Sequence, residues 1–172
     1  MNARGGYYVT PLVAALAGKH FQTAELLHQN GADPNVRGDA EMTPLQSAAY
    51  CGNLRIVQEL IKYNADINAG DYYAETAIYD ASRGRTLERT NIVRLLLEHG
   101  ADVNVRQFRG LTPLHRASMS GALEVARLLL EHGANVHAED GEGRTALQVV
   151  SEIDDEMTRS SMTKLLVEHG AK

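Results

Sequence analysis

The sequence predicts an all-α solenoid of five helix-turn-helix units, and three observations carry that expectation. The heptapeptide LLLEHGA stands at residues 95–101 and again at 128–134, and LLVEHGA follows at 165–171. Thr10, Thr43, Thr76, Thr112 and Thr145 open comparable segments in steps of 33, 33, 36 and 33 residues. Asn2, Asn35, Asn68, Asn104 and His137 close them with the same steps, so the register is fixed independently at two places. Self-similarity at such a period marks a stacked architecture, in which each unit buries its apolar face only against its neighbours.

Each element of the unit has a physical reason. Thr followed by Pro (Thr10-Pro11, Thr43-Pro44, Thr112-Pro113) starts a short helix, because the Thr side chain satisfies a free backbone N–H and Pro at the first helical position pre-sets φ. Small residues then follow (Ala14-Ala15, Ser47-Ala48-Ala49, Ala117-Ser118) and let this first helix pack closely. A polar turn leads to a second helix whose apolar residues recur at helical period: Ile56, Val57, Leu60 and Ile61, then Ile92, Val93, Leu96 and Leu97, then Val125, Ala126, Leu129 and Leu130. Gly31, Gly100, Gly133 and Gly170 stop that helix in the left-handed conformation, and Asn64 takes the same place in the second unit. The repeated heptapeptide is therefore a helix end with its stop signal.

Composition narrows the function classes. A chain of 172 residues with 44% hydrophobic and 23% charged residues has the balance of a folded protein. A lone cysteine, no Asn-x-Ser/Thr site and no charged-then-apolar leader point to a reducing compartment, the cytoplasm with the nucleus also open. No apolar run reaches the roughly 18–20 residues that cross a bilayer, so no membrane partner is expected. A net charge of −5 without a basic stripe argues against nucleic acid.

Thr112-Pro113-Leu114-His115-Arg116-Ala117 matches the signature T-P-L-H-x-A, and with the 33-residue period the chain resembles the ankyrin-repeat family along nearly all its length. That resemblance implies an ankyrin solenoid whose helix pairs are joined by β-hairpin-like fingers, in one domain with repeats at about 5–37, 38–70, 71–106, 107–139 and 140–172. The stretch Gly5-Gly6-Tyr7-Tyr8 resembles one in fungal ankyrin arrays, and residues 2–5 align with 35–38, as in a piece of a longer array. The third unit carries three extra residues within 83–91 and the fifth carries four within 151–161, both expected as loops between the two helices.

The repeated letters build the stack, so function is sought in the variable ones. The resemblance implies that fingers and first helices form a concave surface that binds partner proteins. Five of the nine aromatics (Tyr7, Tyr8, Tyr72, Tyr73, Phe108) fall on fingers and two (Tyr50, Tyr79) on first helices. Aromatics and Arg supply most interface hot spots. Met42, Tyr50, Tyr72, Tyr73, Phe108, Arg109, Leu111 and Met119 are accordingly the expected partner-binding residues, although finger aromatics can also pack on one another as framework. His99, His132 and His169 occupy one slot in successive units, about a helix-packing distance apart, and so cannot share a metal ion. They read as helix-end residues. His115 reads as the family's framework histidine bonded to a finger backbone. Cys51 reads as a small filler, and Arg83, Arg85 and Arg89, like Asp154-Asp155-Glu156, as solvated charge. The expectation is a non-enzymatic, monomeric module without metal or cofactor that binds a protein or peptide. The alternative is a structural spacer or self-assembling segment of a larger array.

Overall fold

Where the sequence pairs Thr with Pro, a full first helix forms. The computed structural model describes residues 10–38 and 41–172, and in it α1 (Pro11–Ala17), α3 (Pro44–Cys51) and α7 (Pro113–Ser120) each begin at that proline. The preceding Thr10, Thr43 and Thr112 hydroxyls accept from the N–H groups of Val13, Gln46 and His115 at 3.3, 3.2 and 3.4 Å. Thr76 and Thr145 lack the proline, and their helices suffer. The third unit manages only the five-residue α5 (Ala77–Ala81), with no cap bond from Thr76, and the fifth only a 3₁₀ helix, Gln148–Glu152. The ten expected helices are thus nine α-helices and one 3₁₀ helix among the described residues.

The second helices are α2 (Phe21–Gln29), α4 (Leu54–Lys62), α6 (Leu87–Glu98), α8 (Leu123–Glu131) and α9 (Glu156–Glu168). Here the expectation of loop insertions is corrected in part. α4 and α8 have nine residues, α6 has 12 and α9 has 13, so the second helices gain three and four residues, while the shortened first elements leave connections of 82–86 and 153–155 where the regular units have 52–53 and 121–122. The reason is the helical period: with 3.6 residues per turn, three or four additional residues extend the helix by about one turn and leave the apolar face in phase. Thr86 and Asp155 cap the lengthened helices by accepting from Arg89 and Thr158 N–H at 3.4 and 2.7 Å.

Two layers result, one of first helices and one of second helices. Ile56, Ile92, Val93, Leu96 and Leu129 are buried in one continuous core between them, as their period requires. Asparagines tie unit to unit: the Oδ1 atoms of Asn35, Asn68 and Asn104 each accept, at 2.8 Å, from the N–H of Asp66, Asp102 and Asn135 in the next unit. Their amide groups donate to the carbonyls of Asn64, Gly100 and Gly133. His99, His132 and His169 each donate from Nδ1 to the carbonyl four residues back, at 2.9, 2.8 and 2.8 Å, which reinforces the hydrogen bonding of the helix end. No helix among the described residues is long and apolar enough to cross a membrane.

Candidate partner-binding face

The fingers are tight turns closed by their own backbone. Asp71, Gln107 and Asp140 donate their N–H to the carbonyls of Glu75, Leu111 and Arg144 at 3.0, 3.1 and 2.9 Å. The Asp71 carboxylate accepts from the N–H of Tyr73 and Glu75, and Asp140 from those of Glu142 and Arg144. The sharp step needs a left-handed residue, which is Gly110 (φ 76°) and Gly143 (φ 76°) in two fingers but Ala74 (φ 58°) in another. Neighbouring fingers are linked directly: Phe108 N–H donates to the Tyr73 carbonyl at 2.8 Å and Gly141 N–H to that of Arg109 at 2.7 Å. At Gly141 this approach leaves no room for a side chain, since a Cβ there would lie 2.9 Å from the Arg109 oxygen.

On this row the aromatics stand out from the protein. Tyr72 is 76% exposed, Tyr73 53% and Phe108 81%. Tyr72 and Tyr73 meet edge to face at 5.3 Å between ring centroids. Tyr50 is exposed at the end of α3, where the Arg83 guanidinium lies over its ring at 4.4 Å. Arg109 is exposed, and Met42 and Met119 are half-buried. Leu111 differs from the other candidates, for it is buried beneath its finger and presents no surface to a partner. Cys51 is exposed at the last position of α3, so its reading as a filler is corrected. Tyr7, Tyr8 and the Gly5–Tyr8 likeness lie outside the described residues, as do the finger positions 39 and 40.

The framework under the fingers is held by one slot, three residues after each repeat-opening Thr. His115 accepts at Nδ1 from the Thr112 N–H at 3.3 Å and donates from Nε2 to the Arg144 carbonyl of the next finger at 2.9 Å. That carbonyl can only accept, which fixes the tautomer. Burial holds the His115 pKa below its ordinary value, so the neutral ring persists. Gln46 does the same work in the second unit, accepting from Thr43 N–H at 2.9 Å and donating to the Glu75 carbonyl. In the third unit the slot belongs to Tyr79, which is therefore buried rather than set beside the recognition face, its hydroxyl 3.5 Å from the Gln107 amide. The register itself carried that signal, because Tyr79 aligns with Gln46 and His115.

Next to Tyr79 lies a group that sequence reasoning missed. Asp80 is 2% exposed, and its Oδ2 has no hydrogen-bond partner. Burial, reinforced by Glu75 and Asp71 and opposed by Arg116 and Arg83, pushes its pKa up to about 7. Glu75 is raised too, first by burial and then by Asp71. The arginines read as solvated charge also need correction. Arg89 donates to the carbonyls of Ala49 and Tyr50 at the end of α3 and to that of Asp80, and Arg85 donates from Nε to Ser120 at the end of α7. Both cations sit where helix dipoles favour positive charge.

Comparison with known proteins agrees with this architecture. A family model described as ankyrin repeats (3 copies) matches residues 12–107, and one described as ankyrin repeats (many copies) matches residues 96–150. The chain is 33% identical over 117 residues to the ankyrin repeat protein FPV222 of Fowlpox virus (strain NVSL), covering 67% of this chain and 15% of that protein. It is likewise 33% identical over 111 residues to Alpha-latrocrustotoxin-Lt1a of Latrodectus tredecimguttatus, covering 63% of this chain and 7% of the toxin. It thus spans a small part of these relatives' length. With its repeat register, its asparagine ties and a family match over more than half its residues, the chain belongs to the ankyrin-repeat family, whose repeats generally mediate protein–protein interaction.

Proposed function

We propose that this chain is a non-enzymatic binding module that takes a protein or peptide partner on the concave face of its fingers and first helices. Tyr72, Tyr73 and Phe108 are the anchors, with Met42, Tyr50, Arg109 and Met119 extending the patch and Leu111 supporting it from below. The observation that carries the reading is the exposure of three large aromatics on two hydrogen-bonded fingers. A finger-stiffening role would bury these rings against one another, yet Phe108 is 81% exposed. Aromatic surface left in water is a recurrent feature of sites that a partner later covers.

The test is differential capture. Proteins retained from a lysate by the wild-type chain should be lost when Tyr73→Ala and Phe108→Ala are combined, while the melting temperature stays within about 2 °C. Retention of the same proteins by the double variant would remove the proposal. The second reading, a spacer or self-assembling segment, draws on Leu26 and Val167, exposed on the first and last of the second helices. It requires a mass in sedimentation that rises with concentration.

A further inference from the structure

The two lengthened helices have a joint consequence on the side of the molecule away from the fingers. α6 and α9 flank α8 and are longer than it by three and four residues at the same end. At about 1.5 Å per residue each overhangs the start of α8 by roughly 5 Å. They close in on the turn that leads into α8: a Cβ on Gly121 would lie 2.7 Å from the Thr158 methyl of α9 and 2.8 Å from an Arg85 Nη atom. Along the α6 side runs a groove of about 480 Å³, floored by Ala122 and Leu123 and walled by Leu87, Thr90 and Arg94. Those three wall residues stand at i, i+3 and i+7, one face of α6.

The chemistry of the groove is apolar with a cationic edge. Leu87 belongs to the additional turn and is 71% exposed, which nothing in the core of the stack requires. Arg85 is pinned by its bond to Ser120 at 2.6 Å, and Asp155 faces it from the α9 side. Glu124 is already close to Arg127, at 4.0 Å. Arg94 is exposed and makes no ion pair among the described residues. The available charge at the groove is therefore positive, although the chain as a whole carries −5.

We propose that this groove is a second docking site, distinct from the concave face, for a peptide segment that carries an aliphatic side chain next to a carboxylate. The aliphatic group covers Leu87 and Leu123, and the carboxylate pairs with Arg94. A groove of this volume lies within the roughly 300–1,000 Å³ of clefts that hold small ligands, enough for such a pair of side chains. The extra helical turns make the site, so repeats of the plain 33-residue length lack it.

A random 12-residue peptide library displayed on phage, panned against the full chain, tests this. The expected result is a class of peptides rich in Asp or Glu beside Leu, Ile or Val. Their binding should fall at least tenfold with Leu87→Ser and again with Arg94→Glu, and survive Tyr73→Ala with Phe108→Ala. Both groove positions are at the surface, so unchanged melting temperatures separate lost binding from lost folding. Recovery only of peptides insensitive to both groove substitutions overturns the proposal and leaves the concave-face reading untouched. Self-association of the chain abolished by Leu87→Ser would also overturn it, by assigning the groove to a second copy.

Discussion

Asp80→Asn should remove most of a pH dependence built into the third unit. The Asp80 carboxyl moves from its ordinary value of 3.8 to about 7 in the folded protein. It is buried, with Glu75 and Asp71 of its own finger, Arg83 at the end of its helix, Arg116 of α7 and Arg89 of α6 around it. Between pH 4 and 7 the folded state holds a proton on Asp80 that the unfolded chain has released. Stability therefore falls as pH rises through this window and levels off above pH 7. About three pKa units at ~1.36 kcal/mol each set an upper bound of about 4 kcal/mol for the whole window, and about 3 kcal/mol for the part above pH 5. Other groups pull the opposite way: Asp140 and Asp155 are lowered, the latter by the Thr158 hydroxyl and N–H, and His115 is lowered by burial. The comparison with the variant isolates Asp80. Urea unfolding should show the stability of Asp80→Asn relative to wild type rising by about 2–3 kcal/mol from pH 5 to pH 8. Parallel profiles within about 0.5 kcal/mol would refute the reasoning, because they would mean that Asp80 is ionised and compensated by Arg116 across the range.

Three further outcomes follow from the packing. Ile92→Ala and Leu129→Ala, each emptying a fully buried position, should cost on the order of 2–5 kcal/mol in denaturant unfolding. His115→Gln should cost less than about 1 kcal/mol, since Gln46 makes the equivalent pair of bonds, whereas His115→Ala leaves the buried Thr112 N–H unpaired and the Arg144 carbonyl with the Asp140 N–H alone, and should cost about 2–3 kcal/mol. Gly84→Ala places a Cβ 1.6 Å from the Arg89 Cδ and must displace that side chain from α3. Its melting temperature should therefore drop as much as that of Arg89→Ala, and the double variant should be no worse than either single one.

Much of this fold was legible because repetition multiplies weak signals. One Thr-Pro is a modest helix start, but three in register, with the asparagines at matching steps, fix the stack. The absence of Pro after Thr76 and Thr145 was a signal the repeat register obscured, and the short α5 and the 3₁₀ helix emerge only in the structure. The insertions were misread in part because a sequence shows that residues are added and not whether they join a loop or a helix. Their number, close to one helical turn, was the clue. At the candidate face, exposure of Tyr72, Tyr73 and Phe108 follows from finger positions, and the burial of Leu111 and Tyr79 from the slots below them. Asp80 gave no sign. A polar residue at a variable groove position looks solvated in sequence, and only the arrangement of α5 against α3 and α7 encloses it.

The proposed partner contact at the exposed finger aromatics is tested most directly by calorimetric titration of a captured partner into wild type, Tyr73→Ala and Phe108→Ala. Each substitution should weaken binding by more than about 1 kcal/mol, with the melting temperature held within about 2 °C. Unchanged affinity together with melting temperatures lowered by several degrees would contradict the claim and return the aromatics to the framework of the fingers.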